Sequence, residues 1–271
     1  MTATLARLFI YPVKSAAGIE CDRVELGPQG FRHDREWMIV DPAGRFVTQR
    51  EEGRLALLAT AIEGGRLRLS IPSGQSICVA LDHGGESVAV RVWSANCRAF
   101  DAGREATQLL SGFLGRPLRL VRFDTAQPRF ADSRWTAGRE VATLFADGYP
   151  LLVLSQASIA DLSARVGREL PVQRFRPNIL LEGVGPYAED AASVLLSGDA
   201  RLQLTKACTR CAITTIDHAT GERTGAEPLA TLKSYRFDPA LRGVVFGRNA
   251  YALAGVGSTL TRGAPASIIP G

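Results

Sequence analysis

Apolar residues in this chain arrive in short bursts, cut apart by turn-forming residues. Leu5–Tyr11, Trp37–Val40, Arg66–Ile71 and Val88–Trp93 are runs of four to seven residues, either alternating or continuously apolar. Asp41–Gly44, Gly64-Gly65, Pro72–Gly74 and His83–Gly85 punctuate them. Short strand-like runs at such spacing predict a β-barrel or sandwich for the N-terminal half. One helix interrupts them: Arg104–Leu114 places Ala106, Leu109, Leu110, Phe113 and Leu114 on a period near 3.6.

The polar, Pro-containing stretch Asp124–Asp132 reads as a linker. Beyond it Leu151–Leu154 is a buried-strand pattern. Gln156–Val166 then has helical spacing at Ile159, Leu162 and Val166, with Ser155 or Ser158 as N-cap. Strand-like runs follow at Asn178–Leu181, Ser193–Leu196, Leu202–Thr205, Ala212–Ile216 and Tyr251–Val256. The expectation is a mostly β (α+β) protein in two parts, 1–123 and 124–271. There is no internal repeat.

A chain of 271 residues with 46% hydrophobic and 22% charged residues has material for a sizeable core. Its longest apolar stretch without charge, Gly148–Ala160, falls short of the ~20 residues that cross a bilayer. Pro12 and Lys14 follow the first apolar run where a cleavage site would stand, so no secretory signal is expected. Five cysteines, Cys21, Cys78, Cys97, Cys208 and Cys211, are too few and odd in number for a disulfide framework. A reducing, cytoplasmic location follows. The net charge of +5 suits an anionic ligand, but bases alternate with acids, which excludes a nucleic-acid stripe.

Chemistry concentrates in Lys206–Asp217. Cys208 and Cys211 form a CxxC, and Lys206 and Arg210 lie close enough in sequence to favour a thiolate. The β-branched residues after Cys211 predict a strand, so a pair of structural cysteines in a hairpin is one reading. Structural zinc needs four ligands, and only His33, His83 and His218 are available to complete them. Thioredoxin-type exchange needs the pair at the start of a helix. A single thiolate holding a metal carried by another molecule stays open. His33 and His218 read as turn or surface residues.

Anion-binding groups recur elsewhere. Tyr11–Ser15 ends the first strand with Lys14 and Ser15, Arg32–Trp37 brings Arg35 beside an aromatic, and Arg174–Asn178 sets Arg176 and Asn178 around Pro177. Each alone suits a solvated edge. Together with a reactive cysteine they suit a phosphorylated ligand with heterocycle edges to read. No Walker loop, Gly-x-Ser-x-Gly elbow or dinucleotide fingerprint is present.

The ordered set Tyr11–Ser15 (YPVKS), Asp34–Trp37 (DREW), Phe175–Ile179 (FRPNI), Cys208–Asp217 (CTRCAITTID) and Pro228–Arg236 (PLATLKSYR) resembles the MOSC-domain proteins. The resemblance runs from Leu5 to about Val256. It is to the subgroup with an N-terminal MOSC β-barrel domain, which includes the mitochondrial amidoxime-reducing component and bacterial relatives. It implies an N-terminal MOSC β-barrel-like domain, a C-terminal MOSC β-barrel with a few helices, and a molybdenum cofactor (Mo-molybdopterin). Cys211 would be the metal ligand and a catalytic residue. Lys14, Ser15, Arg35, Arg176, Asn178, Thr209 and Arg210 would contact the cofactor.

The chain departs from close relatives at Asp147–Pro150, where they carry Thr-Ser before the Pro. Backbone at Gly148 or the phenol of Tyr149 would replace a hydroxyl contact there, and Asp147 is a possible proton relay. The implied activity is reduction of small N-hydroxylated substrates, amidoximes and hydroxylamines. The relatives' membrane anchor and iron–sulfur module have no counterpart in these residues. The expected electron source is therefore a separate protein: a flavin or iron–sulfur reductase, or a cytochrome b5-like donor. The alternatives are a sulfur carrier working through a persulfide on Cys208 or Cys211, and a module that stores the cofactor.

Overall fold

The computed structural model describes residues 1–271. In chain order the strands that matter are β1 (Thr2–Ile10), β2 (Trp37–Val40), β3 (Ser87–Val92), β4 (Ala95–Asp101), β5 (Arg119–Phe123), β6 (Leu151–Ser155), β7 (Ile179–Glu182), β8 (Ala192–Ser197), β9 (Ala200–Thr209), β10 (Gly243–Ala254) and β11 (Pro265–Pro270). Seven of them close a barrel in the order β6-β7-β1-β11-β8-β9-β10, with β10 pairing back to β6. Only β6 and β7 run parallel. β2, β5, β4 and β3 form a separate sheet, and Ala59–Glu63, Arg66–Ser70 and Ser76–Ala80 form a third.

β1 explains how one strand serves two layers. Ala3, Leu5, Leu8 and Ile10 all face the barrel interior although their spacing changes phase, because a bulge between Leu5 and Arg7 re-aims the side chains. Phe9 and Tyr11 then point outward, where they pack with Leu154, Ile159, Phe175 and Leu232. β6 is continuously apolar because both its faces are covered, by the barrel core and by the helix Gln156–Val166. Gly247, at φ +82°, lets β10 approach β6: a Cβ there would sit 3.0 Å from the Val153 carbonyl.

The helices Arg104–Leu114 and Gln156–Val166 have the bounds their periodicity predicts, and the Ser155 side chain caps the second by accepting from the Ser158 amide. The helix Leu229–Tyr235 carries no such periodicity in seven residues. Two expectations are corrected. Ala212–Ile216 is not a strand: Ala212–Thr215 is a 3-10 turn. The hydroxyls of Thr214 and Thr215 donate to the carbonyls of Cys211 and Ala212 (3.1 and 2.7 Å), which supplies locally what a ladder would have supplied. Asp124–Asp132 is not a free linker, since Arg129–Phe130 pairs with Ala142–Thr143. β1, from the first part of the chain, lies between β7 and β11 in the barrel.

Candidate functional site

The turn after β1 crosses from the barrel to the second sheet. Lys14 N–H donates to the Trp37 carbonyl (2.8 Å) and Trp37 N–H to that of Pro12 (3.0 Å), fixing the backbone of Lys14 and Ser15 at the start of β2. Ser15 sits at φ +68° and its carbonyl accepts from Gln49 Nε2 at 2.6 Å. The buried Lys14 ammonium donates to the Phe145 carbonyl (2.7 Å) and to Asp147 Oδ1 (2.5 Å). Burial lowers the Lys14 pKa, with Asp147 opposing that shift.

Tyr11, 1% exposed, is the hinge of the cation cluster. The guanidinium of Arg35 lies 4.3 Å from the centre of its ring and that of Arg176 lies 4.2 Å away. Both arginines take left-handed backbone, φ +52° and +55°, which costs about 1–3 kcal/mol each in a non-glycine residue. Arg35 is held by Asp34 (2.5 Å) and by Asn178 Oδ1 (3.1 Å). Arg176 donates Nη1 to the Ala16 carbonyl at 2.6 Å, while its buried Nη2 has no partner. Burial, then the neighbouring Arg35, pulls the Arg176 pKa down to about 10.

The Asn178 amide is partly committed within the protein. Its Oδ1 accepts from Leu152 N–H (3.1 Å) as well as from Arg35, and its Nδ2 donates one of its two protons to the Phe9 carbonyl (3.1 Å). It ties β1 to β6 and holds Arg35.

At the far end of β9, Cys208 and Cys211 are half-buried free thiols. Cys211 has extended backbone and its carbonyl accepts from Thr214 N–H, opening the 3-10 turn. Arg174 braces that turn by donating to the Thr214 carbonyl (3.2 Å) and pairing with Asp217 (3.3 Å). Arg210 faces Cys208, not Cys211: its Nη1 lies 3.1 Å from the Cys208 sulfur and its Nη2 donates to the Phe175 carbonyl at 2.7 Å. Arg210 Nε is buried without a partner. Lys206 lies 6.0 Å over the Trp135 ring. His218 is half-buried rather than on the surface, and burial with Arg176 and Arg174 nearby pushes it down to about 4.

All of these meet in one cleft of about 710 Å³. Lys14, Ser15, Arg35, Asp147, Gly148, Tyr149, Arg176, Asn178, Thr209, Arg210 and Cys211 all line it. So do Arg50, Arg129 and Lys206, making seven cationic side chains against the two carboxylates of Asp132 and Asp147. Lys14 and Arg50 beside it hold the Asp147 carboxyl far below the usual carboxylate range. The carboxylate is the counter-ion of Lys14 and Arg50.

Three lining residues give no local signal in the sequence. Arg129 lies in what reads as linker, yet it donates to the carbonyls of Leu144 (2.8 Å) and Ala146. Arg50 sits in the mixed-charge run Arg50–Arg54 and reaches Asp147 at 3.3 Å. Trp93 reads as a strand end but occupies the tip between β3 and β4.

The N-terminal part of the chain, residues 2–117, matches the family described as MOSC N-terminal beta barrel domain, and residues 140–262 match the MOSC domain. Mitochondrial amidoxime-reducing component 1 of Mus musculus is 37% identical over 247 residues, covering 88% of this chain and 73% of that protein. Its Homo sapiens counterpart is 36% identical over 255 residues, covering 88% and 74%. Mitochondrial amidoxime reducing component 2 of Homo sapiens is 33% identical over 255 residues, with the same shares.

Proposed function

This chain belongs to the MOSC-domain family, and from that membership we propose a molybdenum-cofactor-dependent oxidoreductase acting on N-hydroxylated compounds. The observation that carries the reading is the meeting of two half-buried thiols, Cys208 and Cys211, with seven cations in a single cleft. The residues fit such a group. Arg176 Nη2 and Arg210 Nε are buried donors lacking acceptors, as an anionic ligand would require, and Cys211 offers a soft sulfur. When bound, the molybdenum cofactor supplies the electron-pair exchange that the cleavage of an N–O bond needs.

In this reading Cys211 is the metal ligand, held in place by the 3-10 turn and by Arg174. Lys14, Ser15, Arg176, Thr209 and Arg210 grip the organic carrier, and Arg35 joins them, aimed by Asp34 and Asn178. Gly148 and Tyr149 close the side where close relatives carry hydroxyls. Asp147 balances the charge of Lys14 and Arg50. The net reaction turns an amidoxime into an amidine and water, consuming an electron pair and a pair of protons. A separate donor protein supplies the electrons: a flavin or iron–sulfur reductase, or a cytochrome b5-like protein.

No helix of the structure is long and apolar enough to cross a membrane.

The test is molybdenum and pterin analysis of protein made in a cofactor-competent host, beside the Cys211→Ser variant, together with amidoxime reduction by each. Loss of metal and turnover in the variant is expected. Retention of both would overturn the assignment. The contact between Arg210 and the Cys208 sulfur favours one rival, a sulfur carrier. A persulfide found on Cys208 by mass spectrometry, with no metal, would establish it instead.

A further inference from the structure

The two-residue tip between β3 and β4 is Trp93-Ser94, and Trp93 stands there at φ +55°. A positive φ at the first position of such a turn favours glycine, so turn chemistry does not account for a tryptophan. Nor does core packing, because the side chain remains 45% exposed. Yet it is firmly held. Arg50 lies 4.5 Å over its ring, Phe46 packs against it at 5.1 Å, its Nε1 donates to Asp147 at 3.2 Å, and Arg91 braces its carbonyl at 3.1 Å. A large apolar surface fixed in one orientation and left open is a platform, not a structural filler.

Trp93 is not alone. Phe130, 47% exposed, lines the same cleft. Its neighbour Arg129 is anchored to the carbonyls of Leu144 and Ala146, which sets the short strand that carries it. The other aromatics of the cleft, Tyr149 and Phe175, are buried and present no free face. A cleft otherwise walled by cations thus opens through a mouth where two aromatic faces stay exposed.

We propose that Trp93, with Phe130, is the specificity-determining platform of the cleft and selects N-hydroxylated substrates whose reacting nitrogen is conjugated to a planar ring. This rests on the reading of the cleft as an N-reductase site. Stacking offers a planar skeleton an interaction that a small aliphatic one cannot make, and it tolerates variation in ring substituents.

Benzamidoxime and acetamidoxime share the reacting group and differ in the ring. With dithionite-reduced methyl viologen as donor, docking of a donor protein cannot contribute to the result. The wild-type preference for benzamidoxime in kcat/KM should fall about tenfold in Trp93→Leu, through KM, and survive largely in Trp93→Phe, which keeps a ring but loses the N–H. Calorimetric titration of both compounds onto the resting holoprotein without donor, beside its molybdenum and pterin content, gives a readout independent of turnover. Benzamidoxime affinity should fall about tenfold in Trp93→Leu with the cofactor content intact. An unchanged preference, or equal losses in both variants with loss of cofactor, would overturn the proposal, since the indole would then serve only to hold Asp147. If neither compound is reduced but ring-dependent binding of benzamidoxime persists, the N-reductase reading falls and the platform stands.

Discussion

The ammonium of Lys14, on a side chain only 7% exposed, lies 2.5 Å from Asp147 Oδ1, joining the turn after β1 to the segment that enters β6. The carboxylate partner is 55% exposed, so water shares its charge and the pair is worth less than a fully buried one. Asp147→Ala should cost about 1–3 kcal/mol, because it strands the ammonium with the Phe145 carbonyl alone. Adding Lys14→Met should recover part of that loss. Urea unfolding of the two single variants and the double variant gives the coupling directly, and additive losses would show that the ion pair contributes nothing.

Asn178→Ala should destabilise the ligand-free protein by about 2–4 kcal/mol, since it orphans the Phe9 carbonyl and the Leu152 amide inside the core and frees Arg35. A residue that only touched a ligand would leave the ligand-free protein unaffected. Denaturation of protein expressed without molybdate separates the two.

Arg176 makes the opposite case. Its guanidinium is buried with one nitrogen unpartnered and its pKa is drawn down to about 10, so folding gains little from it. Arg176→Met should change ligand-free stability by no more than about 1 kcal/mol while pterin and molybdenum retention fall at least about tenfold. A large loss of stability with normal retention would contradict the proposed role.

The acid side of the stability profile should carry the mark of His218. Burial pushes this imidazole down to about 4, below the ordinary value near 6.5, and both ring nitrogens lack partners. Between those values the unfolded chain binds a proton that the folded chain refuses, so stability falls as pH drops from about 6.5 towards 4 and levels off below. The loss expected from this group is roughly 3 kcal/mol. His218→Gln should flatten that limb, and urea midpoints at pH 7 and pH 5 for both proteins test it.

Sequence periodicity located Arg104–Leu114 and Gln156–Val166 because each presents one apolar stripe to a single neighbour. It failed at Ala212–Thr215, where hydroxyls bonding back to the chain replaced the ladder that β-branched residues favour. The YPVKS, DREW and FRPNI segments betrayed the cation wall because arginine and lysine beside Pro or an aromatic are conspicuous even in one dimension. The assembly they make is not conspicuous. Tyr11 stands between Arg35 and Arg176 only once β1 is laid against β7, and nothing local in Arg50, Trp93 or Arg129 announces that folding brings them to the same mouth.

The barrel's closure imposes a timetable on synthesis. β1 is made before every other stave of the barrel, yet its lasting neighbours β7 and β11 come much later; of its partners only Ile19–Cys21 follows closely. Lys14 is thus made long before Cys211, and the barrel closes only when the last stave arrives. A nascent chain halted before β11 would be a half-built cage with the edge of β1 still open to chaperones or to aggregation.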